Sequence, residues 1–298
     1  MILVAGGTGR LGRVVTAALA RRGLPVRVLT RNPARTAGLA APGIEVVTGD
    51  VRDRASLAEA VWGADLVVSA VQGFAGPGGV SPATVDRQGN INLIDAARHA
   101  GAEVVLMSVV GAAESSPMEL FRMKYAAEQY LRSSGASWTI VRATAFLELW
   151  IDLFTKTASR SGRPLVFGRG NNPVNFVSVT DVAALVERAV IDPAVRGRVL
   201  EIGGPANFTF NEVAAAVQAA AGRTSPPRHV PPPVLRLMAG TIGRVQPQLG
   251  RHARAALAMD RAALTHNAAS VRLAYPGLPC TTLSACLQAS VSGAALTP

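Results

Sequence analysis

Cysteine is nearly absent: Cys280 and Cys286 are the only two in 298 residues, too few and too isolated for a disulfide framework or a four-cysteine zinc site. Free thiols in a reducing compartment are expected. Charge is sparse, with 16% of residues being Asp, Glu, Lys or Arg, and aromatics make up 5%. No charge-free apolar run reaches the roughly 20 residues of a bilayer span, so no transmembrane segment is expected. Lysine is scarcer still. Lys124 and Lys156 are the only two, and arginine supplies nearly all the cations behind the net charge of +11. Those arginines are scattered among Ala, Val and Gly, without the basic block, aromatic interleaving or helix-turn-helix spacing of a nucleic-acid binder. No nucleic-acid partner is expected; a field that attracts a polyanionic cofactor accounts for the charge. His99, His229, His252 and His266 share no ligand spacing, and no metal site is expected. An apolar strand pattern starts at Ile2 and a glycine turn follows by Gly6, which leaves no room for a secretory leader and points to a cytoplasmic protein.

What the chain does have is a repeating order. Hydrophobic residues make up 49%, and short apolar runs alternate with helix-length amphipathic segments, as in parallel strands joined by helical crossovers. Strands are predicted at Ile2–Ala5, 25–29, 44–47, 65–69, 103–107 and 138–141, rich in Val, Ile and Leu without polar alternation, as strands covered on both faces require. Helices are predicted near 10–22, 55–61, 82–99 and 117–133, each ending close to a glycine: Gly23, Gly63, Gly101 and Gly135. After Arg142 the pattern loosens into a variable stretch to Asn175, a strand at 176–179, and a helix capped by Thr180 with Asp181 in its first turn. A strand at Val199–Ile202, a helix at 211–221 and a proline-rich link at 226–233 lead into mostly helical sequence. The expected fold class is α/β: a Rossmann-type doubly wound parallel sheet with a smaller, mostly helical C-terminal substrate lobe. Residues 1–142, with 176–203 returning to the sheet, are assigned to the core, and 143–175 with 204–298 to the lobe.

The segment Ile2-Leu3-Val4-Ala5-Gly6-Gly7-Thr8-Gly9-Arg10-Leu11-Gly12 places a strand, a glycine-rich turn and a helix N-terminus in succession. A pyrophosphate needs main-chain N–H groups at close range and the positive end of a helix dipole. Side chains at Gly6 and Gly9 would obstruct that approach, and Gly12 would let the helix pack against the sheet. The second strand ends Leu29-Thr30-Arg31-Asn32, where an NAD-selective site of this type carries Asp or Glu for the ribose hydroxyls. Thr30 removes the carboxylate that would repel a 2′-phosphate, while Arg31 and Arg35 offer guanidinium groups to hold one. NADP is thus favoured over NAD, the bland alternative being a merely solvated Arg31. Asp50 either meets the adenine edge with the Val51 backbone or caps the next segment. Ser69, Ala70, Val71 and Gln72 either run along the nicotinamide ribose or form a plain strand exit.

The glycine turn, Gly49-Asp50-Val51, Asn90-Ile91-Asn92-Leu93-Ile94-Asp95-Ala96-Ala97, Lys124-Tyr125-Ala126-Ala127-Glu128, Trp138-Thr139-Ile140-Val141-Arg142 and Phe176-Val177-Ser178-Val179-Thr180-Asp181-Val182-Ala183 together resemble the extended and atypical short-chain dehydrogenase/reductase superfamily. The likeness, roughly over residues 1–223, is to its NmrA-like, complex-I-subunit-like branch. In catalytic members the resemblance implies a hydroxyl donor at the end of the fifth strand, here Ser108, and a tyrosine one helical turn before a lysine. Lys124 fills the lysine position, but Leu120 stands where the tyrosine should be, and Tyr125 is about 100° round the helix. Atypical relatives keep the lysine without the tyrosine. The resemblance also implies that Ala143, Thr144, Ala145 and Phe146, after the sixth strand, face the nicotinamide amide and the substrate; the apolar Leu147, Leu149 and Trp150 nearby suggest an aromatic or lipophilic substrate, with ordinary lobe packing as the alternative.

The function that follows is an NADPH-dependent reductase transferring hydride to an apolar acceptor such as a quinone, an enone or an aromatic compound, with Lys124 and Ser108 as the candidate catalytic residues. The alternative is a non-catalytic NAD(P)(H)-sensing regulatory or assembly protein; sugar-nucleotide epimerisation, which leans on the missing tyrosine, ranks last. A monomer or homodimer is expected, with the basic, apolar segment 234–244 capping the substrate pocket.

Overall fold

The computed structural model describes residues 1–39, 42–76 and 79–291; the end of the expected lobe, 292–298, lies outside them. The described chain divides into two units, one within residues 1–143 and 182–202, the other of 144–181 and 203–291.

The first unit is built on seven strands: β1 (Ile2–Ala5), β2 (Val26–Thr30), β3 (Ile44–Thr48), β4 (Leu66–Ser69), β5 (Glu103–Val109), β6 (Trp138–Ala143) and β7 (Val199–Ile202). All pair in parallel, in the order β7-β6-β5-β4-β1-β2-β3. The chain winds outward from β1 through β2 and β3, then crosses back to β4, so the order reverses between β1 and β4. In such sheets the carboxyl ends of the strands flanking that reversal open a crevice. The central strands are apolar on both faces: Leu3, Val4 and Ala5 of β1 and Val67 and Val68 of β4 are fully buried. This is the doubly wound sheet that their unbroken aliphatic runs predict.

Helix α1 (Arg10–Arg21) follows β1 and turns Leu11, Val15, Ala18 and Leu19 inward, a spacing of one helical face. Helix α2 (Arg54–Val61) takes its N-cap from Asp53, whose carboxylate accepts the Ala55 N–H at 3.0 Å. The single helix predicted over 82–99 is two: a π-helical segment, Pro82–Gly89, runs into α3 (Asn90–His99). The amphipathic pattern is continuous across the join, so the widened turn is invisible to a periodicity of 3.6. Helix α4 (Glu119–Ser133) packs on β5 and β6, and the glycines expected to close α1 to α4 all have positive φ.

Arg142 of β6 ties that packing together. Its Nε and Nη2 meet both carboxylate oxygens of fully buried Glu128 at 2.9 and 2.6 Å, and its Nη1 meets Glu201 of β7 at 3.0 Å. The Glu128 carboxylate raises the Arg142 pKa above its already high ordinary value, so the guanidinium stays charged. Because Glu128 lies one turn beyond Lys124 on α4, this pair fixes the rotation of the helix that carries the lysine.

In the second unit Pro173–Val177 pairs antiparallel with Asn207–Thr209 and parallel with Ala145–Phe146, and Leu165–Phe167 pairs with Arg228–Val230. Helices Leu147–Ser161 and Phe210–Ala220 enclose a core of Leu147, Ile151, Phe154, Phe176, Phe210 and Val213. Three expectations are corrected here. The strand predicted at 176–179 ends at Val177 and does not join the seven-stranded sheet, so the return to the sheet spans 182–202 instead of 176–203. Thr180 is not a cap: it lies inside the helix Val179–Ile191, which begins two residues earlier than expected, with Glu148 accepting the Val179 N–H at 3.0 Å and Ser178 Oγ that of Thr180 at 3.2 Å. The proline-rich link contains the strand Arg228–Val230, whose three residues are too few to read as a pattern.

Segment 234–244 falls in helix Pro232–Leu237, a π turn at Met238–Ile242 and the start of Gly243–Val245. Leu237 is 62% exposed there. Cys280 is exposed, while Cys286 is fully buried against Glu148, and burial pushes its thiol up to about 12. No described helix is long and apolar enough to cross a membrane.

Candidate functional site

The turn from β1 into α1 lies at the β1/β4 reversal, and its glycines serve different ends. Gly6 has φ +84°, which favours glycine, and a Cβ there would stand 2.7 Å from Ala70 O, just past β4. A Cβ on Gly7 would be 2.7 Å from Val28 Cγ1, and one on Gly12 would collide with Gly6 O and Gly7 Cα. These three are therefore demanded by packing within the protein. Gly12 makes room for the turn's own backbone instead of for the sheet, which refines the role expected of it.

Gly9 differs. A Cβ built on it meets only Gly6 O, at 3.1 Å, and no other atom within 4 Å, so its missing side chain leaves open space. Gly9 is the N-cap of α1, offers no side chain to the first-turn N–H groups, and no acidic residue follows in that turn. An α-helix leaves its first N–H groups without intrahelical partners and carries about half a positive charge at that end. Uncapped donors beside an open space suit a diphosphate. Leu11 points into the core and Arg10 is exposed.

Around this turn, Thr8 Oγ1 lies 3.3 Å from Thr30 Oγ1, joining the β1 and β2 exits. Thr30 Oγ1 also accepts the Asn32 N–H at 3.2 Å, and Asn32 Oδ1 accepts the Ala34 N–H, capping the 3-10 turn Pro33–Thr36. Thr30 and Asn32 thus shape the loop with their side chains. Arg13 of α1, which the glycine motif does not point to, reaches across to donate to Thr8 O at 3.3 Å, Ala37 O at 3.2 Å and Arg35 O. It clamps the 33–37 loop to the start of α1. Arg31 and Arg35 extend into solvent from that loop.

Asp50 turns back on Arg52: its carboxylate accepts the Arg52 main-chain N–H at 2.9 Å and two guanidinium N–H groups at 3.1 and 2.6 Å. Arg52 holds the carboxyl below its ordinary pKa, with a smaller contribution from Arg31. The side chain of Asp50 thus closes its own turn, and Val51 O is taken by Asn92 Nδ2 at 3.0 Å.

At the end of β4, Ser69 Oγ donates to Asn90 Oδ1 at 2.5 Å; past it, Ala70 N–H continues the ladder to Ala5 O, Val71 is half-buried and Gln72 is exposed. Lys124 is 4% exposed, whereas Lys156 is exposed. The Lys124 ammonium donates to Val71 O at 3.0 Å and lies 3.0 Å from Asp86 Oδ1. Asp86, on the π-helical segment, is fully buried, and its Oδ2 accepts the Gly73 N–H at 2.9 Å. Burial pushes its carboxyl above the usual range while the ammonium pulls against that rise. An acid at the fifth position of an ordinary amphipathic pattern gave no signal of this role. Ser108 is buried next to the end of β5 with no hydrogen-bond partner for Oγ among the described residues, an orphaned donor such as a bound molecule would satisfy.

The parallel sheet thus brings Gly6 to Gly12, Thr30 to Arg35, Asp50, Val51, Ser69 to Gln72, Ser108 and Ala143 to the carboxyl edge of one sheet, with Lys124 tied to it through Val71. Thr144, Ala145 and Phe146 belong to the second unit. There Thr144 Oγ1 donates to Asn175 Oδ1 at 2.9 Å, and Ala145–Phe146 pairs with Phe176 and Val177. Leu147 is buried in that unit's core, the Trp150 ring centroid lies 4.4 Å from that of Phe210 with the two rings tilted by 52°, and Leu149 is half-exposed.

The NAD(P)H azoreductase of Xenophilus azovorans is 33% identical over 232 residues, covering 77% of this chain and 76% of that protein. The NADPH-dependent quinone oxidoreductase of Escherichia coli, solved in complex with NADPH, shares the fold with a TM-score of 0.78 at 23% identity, over 98% of this chain and 100% of that one. The Citrobacter sp. triphenylmethane reductase complexed with NADP(H) does so with a TM-score of 0.77 at 20% identity, over 97% and 99%. The NmrA-like family matches residues 1–257, and the chain belongs to that family.

Proposed function

We propose that this chain is an NADPH-dependent reductase that delivers hydride to an apolar acceptor such as a quinone, an enone or an aromatic compound. The observation that carries the reading is the uncapped start of α1 beside the open space at Gly9, set where the strand order reverses. The relatives are described as reductases of azo compounds, quinones and triphenylmethane dyes, a class with apolar, conjugated acceptors in common.

The bound nicotinamide dinucleotide would supply the hydride. The chain's own residues hold and orient: first-turn N–H groups of α1 on the diphosphate, Arg31 with Arg35 on the 2′-phosphate, Lys124 on the ribose next to the nicotinamide, and Ser108 Oγ beside the reacting atom. With Leu120 in place of a tyrosine on the lysine's helix face, no phenol donates the proton, and water or a substrate hydroxyl takes that part. That same leucine favours the second reading, a dinucleotide sensor without turnover. NADPH oxidation with a panel of quinones and enones separates the two: binding without oxidation of NADPH would support the sensor.

Arg31 gives a test of cofactor choice. In Arg31→Ala the affinity for NADPH should fall about tenfold, as for loss of one solvent-screened charge-assisted hydrogen bond, while that for NADH stays unchanged. Fluorescence titration of both cofactors reads this. An unaltered preference would remove Arg31 from the site.

A further inference from the structure

A buried ion pair adds little stability over an apolar pair of the same shape, because desolvation offsets the attraction. Yet this chain, with two lysines in all, places one of them against a fully buried aspartate. The contacts form a closed ring. Asp86 Oδ1 meets the Lys124 ammonium, the ammonium donates to Val71 O, and Gly73, two residues on, donates its N–H to the other oxygen of Asp86. Gly73 has no room for a side chain, since a Cβ there would collide with Ser81 O and stand 2.8 Å from Val85 Cβ. Asp86 is itself anchored, because Asn90 Nδ2 donates to its carbonyl at 2.7 Å and Ser69 Oγ holds Asn90. Of the ammonium's three N–H groups, one is donated to Val71 O, while Asp86 Oδ1 faces the ammonium at 3.0 Å as its counter-ion.

We propose that Asp86 is a positioning residue for the reductase site: as counter-ion it holds the Lys124 ammonium in place, with a remaining N–H toward the ribose, and through Gly73 locks the 71–73 loop beside it. This rests on the reading above that Lys124 meets the cofactor. The charged groups around the ammonium are Asp86 from the π-helical segment and, one turn along α4, Glu128, which Arg142 of β6 neutralises. Arg87 is exposed, and β4 with the loop to Gly76 brings no charge. Removing the Asp86 charge therefore leaves a buried ammonium without a counter-ion.

NADPH affinity measured by fluorescence from pH 6.5 to 9 in the full chain tests this. Without its counter-ion a buried lysine can lose about 3 pH units of basicity, so in Asp86→Asn the ratio of variant to wild-type Kd should climb about tenfold from pH 6.5 to 9. In the double variant Asp86→Asn/Lys124→Met the ratio should be flat. A purely structural role would lower the melting temperature and leave the ratio constant with pH, and that result overturns the proposal. Should Asp86→Asn fail to fold, Asp86→Glu carries the test. Its carboxylate keeps the charge but displaces the ammonium by a methylene, so a flat ratio with kcat reduced about tenfold or more is expected, and wild-type kcat overturns the proposal. Failure of wild type to oxidise NADPH would sink the reductase reading alone, because affinity still reports on Asp86.

Discussion

Gly12→Val is expected to cost the first unit about 3 kcal/mol or more, the scale of overpacking against parts that cannot move, and to lower the melting temperature by about 6–10 °C. The reason is local. The added Cβ would collide with Gly6 O and Gly7 Cα, both backbone atoms. Gly6 cannot retreat, because its positive φ and its approach to Ala70 O already fix it between β1 and β4. Relief would have to come from moving α1 off the sheet, which uncovers Leu11, Val15 and Leu19. Thermal melting by circular dichroism reads the effect; a melting temperature within about 1 °C of wild type would mean that the turn is not packed as described.

Gly9→Asp should behave in the opposite way. Gly9 has φ −79° and ψ 173°, open to any residue, and a Cβ there has only Gly6 O to accommodate. Aspartate is a preferred N-cap, better than glycine by a few tenths of a kcal/mol, and its charge complements the helix dipole. Stability should therefore stay within about 1 kcal/mol of wild type. Dinucleotide binding should be lost, because the carboxylate occupies the open space and opposes the diphosphate with about 3 kcal/mol of repulsion, on the order of 100-fold in Kd. A fold left intact by the substitution that removes binding, and a fold broken at a glycine three residues away, would together separate the site from its scaffold. NADPH affinity within threefold of wild type in the Gly9→Asp variant would place the diphosphate elsewhere.

Much of this was legible in the sequence because it is local. Aliphatic runs such as Leu3 to Ala5 mark strands buried on both faces, and Gly6, Gly9 and Gly12 mark a turn between strand and helix. What could not be read depends on partners distant in the chain. Asp86 finds Lys124 and Gly73 only because the π-helical segment packs on α4 and the β4 exit. Arg13 is one arginine among many until the 33–37 loop folds over it. Phe176 was recognisable as part of a strand, but nothing near it in sequence says that its neighbours are Ala145 and Phe208's strand instead of the main sheet. The separate duties of the three glycines are equally a matter of what stands opposite each one, and periodicity carries no such information.

If main-chain N–H groups opening α1 receive the cofactor's diphosphate, those amides exchange more slowly once it is bound. Hydrogen–deuterium exchange of the wild-type chain with and without saturating NADPH reads this. Amides of residues 10–12 should gain protection on binding, while that of Gly9, already donated to Gly6 O at 2.8 Å, and those in the first turn of α2, already capped by Asp53, do not change. NADPH binding with no added protection at 10–12 would overturn that assignment.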